Sequence, residues 1–210
     1  MKNFTGNCII LGHKNFGEAD KLIYFYNEEL GKIKAVAKGA RRIKSRFTGH
    51  LETLNIVNCS LYFGPRNIIL REIVTTENFA PLRRNLNSVA SAMQIAEITN
   101  RIVFESQTLE HLFRLLEKTL LHLSKSSRPN LIALAYIIKL LDKAGLIPDF
   151  KTVHTKISPK YLKFLNYLKT EHLSQIERIK TTKIDDFQIK KIVKNLIERE
   201  TEQQFNSFFA

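Results

Sequence analysis

The sequence predicts an α+β multidomain protein, in which a small β-barrel is followed by an all-α helical domain. Two observations predict this division. Up to about residue 77, apolar residues occur in short or alternating runs separated by turn signals, which is typical of β-strands. From Pro81 onward, apolar residues recur every three to four positions, which is typical of amphipathic helices. We therefore expect a barrel domain over residues 1–79 and a helical domain over residues 80–210.

Five strand-like runs fill the first part of the chain. They cover residues 8–11, 22–26, 33–37, 54–63 and 68–74. Turn signals rich in glycine and asparagine separate these runs at residues 12–17, 27–31, 39–49 and 64–67. Five strands without a long helical repeat favour a small closed barrel, for which the OB fold is the first candidate. An SH3-like barrel fits the number of strands nearly as well.

The second part of the chain consists of amphipathic stretches. Their apolar stripes predict helices over residues 82–103, 109–123, 129–145, 159–169 and 185–201. Pro129 stands at a favoured first-turn position, and Gly145 with Pro148 beyond it marks a helix end. Asp185 or Asp186 is expected near the start of the last helix.

The chain is basic along its whole length, with a net charge of +13. Basic residues outnumber acidic ones by 12 to 7 over residues 1–80, by 9 to 6 over residues 81–150, and by 12 to 7 over residues 151–210. Such a distribution favours extended contact with a polyanion over one small anionic pocket. The alternative is that the basic composition reflects only a proteome that is rich in lysine.

Residues 32–46 form a basic segment that contains no acidic residue. Its seven basic residues are Lys32, Lys34, Lys38, Arg41, Arg42, Lys44 and Arg46. The segment begins with strand-like alternation and continues as a loop bounded by glycines, which suits the backbone of a nucleic acid. The three arginines are the first choices because guanidinium groups bind phosphate in a bidentate manner. Phe47 is expected either to stack on an unstacked base or to plug the space under the loop. Lys14 and Lys21 are weaker choices.

The sequence predicts no catalytic residue, no metal and no cofactor. The spacing of Gly12 and Gly17 resembles a phosphate-binding loop, but Glu18 stands where its lysine should be. No histidine pair has metal-ligand spacing, and Cys8 and Cys59 stand apart in apolar runs. The most apolar stretch, residues 131–141, is too short to span a membrane, and no secretory signal is visible. We therefore expect a cytoplasmic protein of a reducing compartment.

Three segments resemble the bacterial RecO family of recombination mediators. The strongest is GKIKAVAKGARRIKSRFTG, residues 31–49, and the second is GEADKL, residues 17–22. The third is LLDKAGLIP, residues 140–148, which is similar to the end of a helix in that family's helical domain. The specific motifs lie in the first 50 residues, and the remainder matches mainly in architecture.

The resemblance implies an N-terminal OB fold, a C-terminal helical domain and a non-enzymatic role. Such a protein binds single- and double-stranded DNA, anneals complementary strands, and cooperates with RecR so that RecA displaces the single-strand DNA-binding protein. A nucleoid-associated location follows from that role. Many relatives carry a four-cysteine zinc module after the Gly-x-x-Pro segment. Residues 149–155 contain no cysteine here, so we expect no structural zinc.

The acidic, apolar tail of single-strand DNA-binding protein calls for a basic rim around an apolar pocket. Two groups of lysines on predicted helices offer this mixture. They are Lys139 and Lys143 in one helix, and Lys190, Lys191 and Lys194 in another. Both helices could equally be ordinary amphipathic helices. Two rival functions remain open, a general OB-fold protein for single-stranded RNA or DNA and, much less supported, a nuclease.

Overall fold

A computed structural model describes residues 3–147 and 157–202 of the chain. Its five strands are β1 Asn3–Phe16, β2 Asp20–Asn27, β3 Gly31–Ala37, β4 Ile56–Phe63 and β5 Ile68–Glu77. They close into a barrel in the order β1-β2-β3-β5-β4. Only β3 and β5 pair in parallel among the neighbouring strands of this barrel. This is an OB-type arrangement, so the predicted fold class is confirmed in its first part.

β1 is long enough to serve two sides of the barrel. It pairs with β4 from Asn3 to Ile9 and with β2 from Ile9 to Phe16. The register with β2 shifts between Ile10 and Gly12, which indicates a bulge, and a bulge bends and twists a strand. Gly12 therefore lies inside the strand, and the turn predicted from residue 12 begins only after Phe16.

Alternate residues of the strands point into the barrel and form its core. This core contains Cys8, Ile10, Ile23, Phe25, Ile33, Ala35, Ala37, Phe47, Leu51, Val57, Cys59, Leu61, Leu70 and Ile73. On β2 the inward residues are odd-numbered, so even-numbered residues such as Tyr24 lie on the outer face.

The chain divides into two compact units. The first contains residues 1–80 together with residues 96–113, and the second contains residues 81–95 and 114–210. In the first unit, residues 96–113 contact the barrel. The hydroxyl of Tyr26 accepts a hydrogen bond from the Leu109 amide (2.9 Å), and the Ser106 amide donates to the carbonyl of Lys32 (2.8 Å). The boundary between residues 79 and 80 stays a prediction from the sequence.

Within the described ranges, six α-helices follow the barrel. They are α1 Leu86–Ile102, α2 Leu112–Leu123, α3 Pro129–Lys143, α4 Pro159–Thr170, α5 Leu173–Ile176 and α6 Lys183–Thr201, and a short 3-10 turn, Leu82–Arg84, precedes them. In the second unit, α3 is buried on nearly all sides and packs against α4, α5 and α6. These helices confirm the helical part of the predicted fold class. No helix in the described ranges is long and apolar enough to cross a membrane.

The ends of two helices follow the sequence signals closely. Gly145 adopts φ +70°, and the Leu146 amide donates to the carbonyl of Leu141 (2.8 Å), which is the Schellman ending that glycine favours. α6 begins after Thr182, whose hydroxyl accepts from the Asp185 amide in a capping box. The expected aspartate therefore lies in the first turn of α6.

Candidate nucleic-acid interface

The loop between β3 and β4 carries most of the basic segment. In residues 38–50, which we call the basic loop, consecutive tight turns follow one another. The Arg42 amide donates to the carbonyl of Gly39 (3.1 Å), and the Ser45 amide donates to that of Arg42 (3.0 Å). The Thr48 amide in turn donates to the carbonyl of Ser45 (3.2 Å). Because its backbone groups satisfy one another, the loop holds a defined shape although its basic side chains face solvent.

The turn between β1 and β2 fixes the start of the basic loop. Asp20 accepts a hydrogen bond from the Gly39 amide through its Oδ1 (2.7 Å), and the Arg41 amide donates to the carbonyl of Ala19 (2.9 Å). The guanidinium of Arg41 also donates to the carbonyl of Glu18 (2.9 Å). The GEADKL segment therefore supports the basic loop, which explains why these two motifs occur together.

Phe47 lies under the basic loop, where a base cannot reach its ring. Only 3% of its surface is exposed, and it belongs to the barrel core with Leu51 and Ile73. This burial does not support the base-stacking role expected for Phe47 and favours the alternative role as a plug. The guanidinium of Arg46 lies 5.1 Å from the centre of this ring, so the plug also supports a cation at the surface.

Lys32 is a structural lysine. Its ammonium group donates to the carbonyls of Asn100 and of Val103 (2.9 Å for Val103), at the C-terminal end of α1. A cation at this end is favoured by the helix dipole and by the unpaired carbonyls of the last turn. Burial lowers the pKa of Lys32. Since both contacts would have to break before the ammonium met a phosphate, the DNA contact expected for Lys32 is not supported.

Lys34 is exposed but already paired. Its Nζ lies 2.7 Å from the Oε1 of Glu105, and this hydrogen bond raises the pKa of Lys34. Ion pairs at the surface contribute little stability, so a phosphate could compete with Glu105 for the ammonium. Lys34 is therefore a weaker phosphate ligand than the sequence alone suggests.

The other five basic residues of the segment remain exposed on the basic loop. They are Lys38, Arg41, Arg42, Lys44 and Arg46. We call them the loop cations. Within the described part of the chain, the side chains of Lys38, Arg42 and Lys44 have no hydrogen bond or ion pair. The loop thus presents five positive charges to solvent on an ordered backbone, which is the geometry a phosphate backbone requires.

Two exposed apolar side chains near the loop cations were not identified from the sequence. Ile43 is fully exposed at 100%, and Phe16 is 42% exposed at the end of β1. Phe16 was missed because it falls between Gly12 and Gly17, where the glycines indicate a turn. The alternation of Lys14 with Phe16 before Gly17 was the available signal for a strand.

The lysines expected at a partner site in the helical unit lie in different environments. Lys139 is half-buried and donates to the carbonyl of Lys169 (2.7 Å), and burial lowers its pKa. Lys194 lies 3.7 Å from the carboxylate of Glu198. Lys143 and Lys191 are exposed, and Lys190 lines a cavity of about 450 Å³ beside Phe187. Lys139 therefore acts as a structural residue, and the rim expected around it is not supported.

A second cavity has the mixture expected of a partner site. It measures about 370 Å³, and its apolar lining comes from Tyr161, Phe164, Tyr167, Ile179 and Ile189 of the helical unit. Lys160, Lys163 and Lys180 also line it, and Lys160 forms an ion pair with Asp185 (2.5 Å). The alternation of lysine with aromatic residues from Lys160 to Tyr167 was the sequence signal. We call this cavity the aromatic pocket.

A metal site needs several ligating side chains close together. Among residues 3–147 and 157–202, no group of three or more His, Cys, Asp or Glu side chains could hold a metal ion. Both cysteines lie in the barrel core with their sulfur atoms 3.5 Å apart, so a four-cysteine zinc site cannot be built from them. Residues 149–155, where the sequence predicts no zinc module because they contain no cysteine, lie outside the described ranges.

Two family models match the chain in the order of its two parts. The model described as Recombination protein O N terminal matches residues 1–75, and the model described as Recombination protein O C terminal matches residues 83–155. The chain is also similar to proteins named DNA repair protein RecO. The relative from Syntrophobacter fumaroxidans is 32% identical over 148 residues, which cover 70% of this chain and 59% of the relative.

Two further relatives carry the same printed name. The protein from Alkaliphilus metalliredigens is 31% identical over 141 residues, covering 66% of this chain and 57% of the relative. The protein from Caldanaerobacter subterraneus subsp. tengcongensis is 24% identical over 238 residues, covering 99% of this chain and 96% of the relative. In the first two alignments the chain thus spans less than two thirds of the relative.

Proposed function

The chain belongs to the RecO family, and from this premise we propose that it serves DNA repair as a non-enzymatic recombination mediator. It binds single- and double-stranded DNA and anneals complementary strands. With RecR, it helps load RecA onto DNA that is coated with single-strand DNA-binding protein.

The observation that carries this proposal is the set of loop cations. All five side chains are exposed, and no acidic residue interrupts them between residues 38 and 46. The backbone bonds of the loop and its attachment to the β1–β2 turn hold these charges in place before DNA arrives. Because little ordering is then required on binding, more of the electrostatic attraction is available as affinity.

Annealing follows from the same charges. Two complementary strands repel each other through their phosphates, and a basic protein lowers this repulsion when it binds either strand. Binding also releases condensed counterions, which makes the affinity depend on salt. The net charge of +13 also attracts the strands from a distance, which favours encounter without adding to the phosphates that the loop cations neutralise.

The aromatic pocket is our preferred dock for the tail of single-strand DNA-binding protein. An acidic, apolar peptide needs apolar contacts surrounded by cations, and the pocket combines aromatic rings with exposed Lys163 and Lys180. We therefore expect a Lys163→Glu/Lys180→Glu variant to lose affinity for a labelled tail peptide. The Lys143→Glu/Lys191→Glu variant is the matched control, because both lysines are exposed and neither lines this pocket. Equal loss in both variants would contradict this assignment.

Salt dependence of DNA binding tests the proposal directly. If the five loop cations neutralise about five phosphates of a single strand, the logarithm of the binding constant falls against the logarithm of salt with a slope of about −3.5. Replacing two of the loop cations, in Arg42→Gln/Lys44→Gln, should reduce the steepness by about 1.4. The control Lys125→Gln/Lys191→Gln removes the same charge from exposed sites in the helical unit and should leave the slope unchanged.

A slope near zero for the unmodified protein would overturn the proposal. Equal affinity for DNA and RNA of the same sequence would favour the rival function, a general OB-fold protein for single-stranded nucleic acid. A preference for DNA together with the expected slope supports the repair role.

A further inference from the structure

The outer face of the β1–β2 hairpin carries two partly exposed aromatic rings. Phe16 lies opposite Asp20, and Tyr24 lies opposite Gly12 on β1 and Lys34 on β3. The core residues of β2 point the other way, so both rings stand on the outer side of the sheet, and Leu22, which lies between them on this face, is buried. Phe16 has 42% of its surface exposed, and Tyr24 is partly exposed.

Space and charge around these rings suit a nucleic acid. A Cβ atom placed on Gly12 would meet nothing within 4 Å, so the sheet beside Tyr24 is open. Lys14 stands between Gly12 and Phe16 on the same face of β1, and its side chain is exposed. The register therefore places an exposed lysine along the strand between the positions of the two rings, and a cation near aromatic rings suits stacking and phosphate contact with a single-stranded nucleic acid.

The strip joins the basic loop at one end and is closed at the other. Phe16 directly precedes Gly17, and the turn over residues 17–20 holds the loop through Asp20. At the opposite end of β2, Tyr26 is completely buried and is hydrogen-bonded to Leu109. Residues 96–113 thus cover the end of this face at Tyr26 and reach as far as Lys34, which pairs with Glu105, whereas Phe16 at the other end is exposed.

We propose that this face, which we call the stacking strip, binds unstacked bases of a single strand. Phe16 and Tyr24 take the bases, and Lys14 contacts the intervening phosphate. Phe16 lies four positions along β1 from Gly12, the partner of Tyr24, which corresponds to about 13 Å, so the two rings receive non-adjacent bases. The inference rests on the proposed function and gives to Phe16 the role that burial denies to Phe47.

Tryptophan fluorescence tests the proposal at Phe16. The chain contains no tryptophan, so Phe16→Trp introduces a single reporter. Stacking of a base on the new indole should quench its emission when a single-stranded oligonucleotide binds. Phe187→Trp is the control, because Phe187 is 64% exposed on α6 of the helical unit and far in sequence from the strip. Quenching in the Phe16→Trp variant alone supports the strip, and equal emission changes in both overturn it.

Affinity measurements separate this inference from the proposed function. Phe16→Ala should weaken binding to a single strand at least about fivefold, the lower end for one stacked base, without changing the salt slope. Tyr24→Ala should act in the same way. Neither variant should alter binding to an abasic strand of equal length, because that strand has no base to stack.

The outcomes are distinct. If Phe16→Ala and Tyr24→Ala both bind the base-bearing strand like the unmodified protein, while Arg42→Gln/Lys44→Gln binds it weakly, the strip is wrong and the proposed function stands. If the unmodified protein binds no single strand, both the stacking strip and the proposed function are wrong.

Discussion

Replacing Lys32 by methionine separates the structural from the DNA-binding part of the basic segment. Lys32→Met keeps most of the side-chain length but removes the ammonium group that bonds the carbonyls of Asn100 and Val103. We expect a loss of stability and no change in the salt slope for DNA, although the residue lies in the most basic stretch of the chain.

The magnitude follows from the two contacts. A hydrogen bond to a charged group contributes about 1.5–3 kcal/mol, and two carbonyls lose such a donor together. The half-buried ammonium is unfavourable in itself, as its lowered pKa indicates, and removing it returns part of that loss. We therefore expect the free energy of unfolding to fall by about 2 kcal/mol in urea titrations.

Lys38→Met is the matched control for Lys32→Met. Lys38 is exposed on the basic loop and carries the same charge. Its replacement should change stability by less than about 0.5 kcal/mol and reduce the steepness of the salt slope by about 0.7. The reasoning is refuted if Lys32→Met keeps full stability and reduces the slope as Lys38→Met does.

Two further predictions concern stability. Glu177 accepts hydrogen bonds from the hydroxyls of Ser126 and Ser127 and from the Ser127 amide. Burial acts to raise the pKa of Glu177, but these bonds, together with that of His122, lower it. This stabilisation is present above the carboxyl's ordinary pKa and is lost as the pH falls through the lowered value. Glu177→Gln should therefore lower the free energy of unfolding by about 1–2 kcal/mol near pH 7 and make the stability depend less on pH in the acidic range. Gly31 has φ +69°, and a Cβ there would lie 2.2 Å from the carbonyl oxygen of Gln107. Gly31→Ala should therefore destabilise by about 3 kcal/mol or more in the same titrations, and a stable variant would contradict the close packing of this segment on the barrel.

Local signals in the sequence predicted much of the fold. Strand alternation and turn residues indicated five strands, and the glycine at 145 indicated the end of α3, because both depend on neighbouring residues only. The bulge near Gly12 was not foreseen. A glycine between two apolar runs indicates a turn just as well as it indicates a bulged strand.

The different roles of the basic side chains in residues 32–46 could not be predicted from the sequence. Lys32, Lys34 and Lys38 follow the same alternation in the sequence, yet one caps a helix, one pairs with Glu105, and one faces solvent. The difference arises from residues 96–113, which lie about 70 positions later and contact only one end of β3. Long-range contacts of this kind leave no mark on the local pattern.

The fate of Phe47 depended on the path of the loop. Its position in the sequence is compatible with an exposed ring and with a ring buried under the loop. The tight turns before Phe47 place the ring in the buried position.

Strand annealing tests the central claim most directly. Complementary oligonucleotides, each coated with single-strand DNA-binding protein, are mixed with and without this protein, and the rate of duplex formation is measured. We expect clear acceleration by the unmodified protein and its loss in Arg42→Glu/Lys44→Glu, with Lys125→Glu/Lys191→Glu retaining it. An absence of acceleration, or equal acceleration by the loop variant, would contradict a mediator that acts through the loop cations.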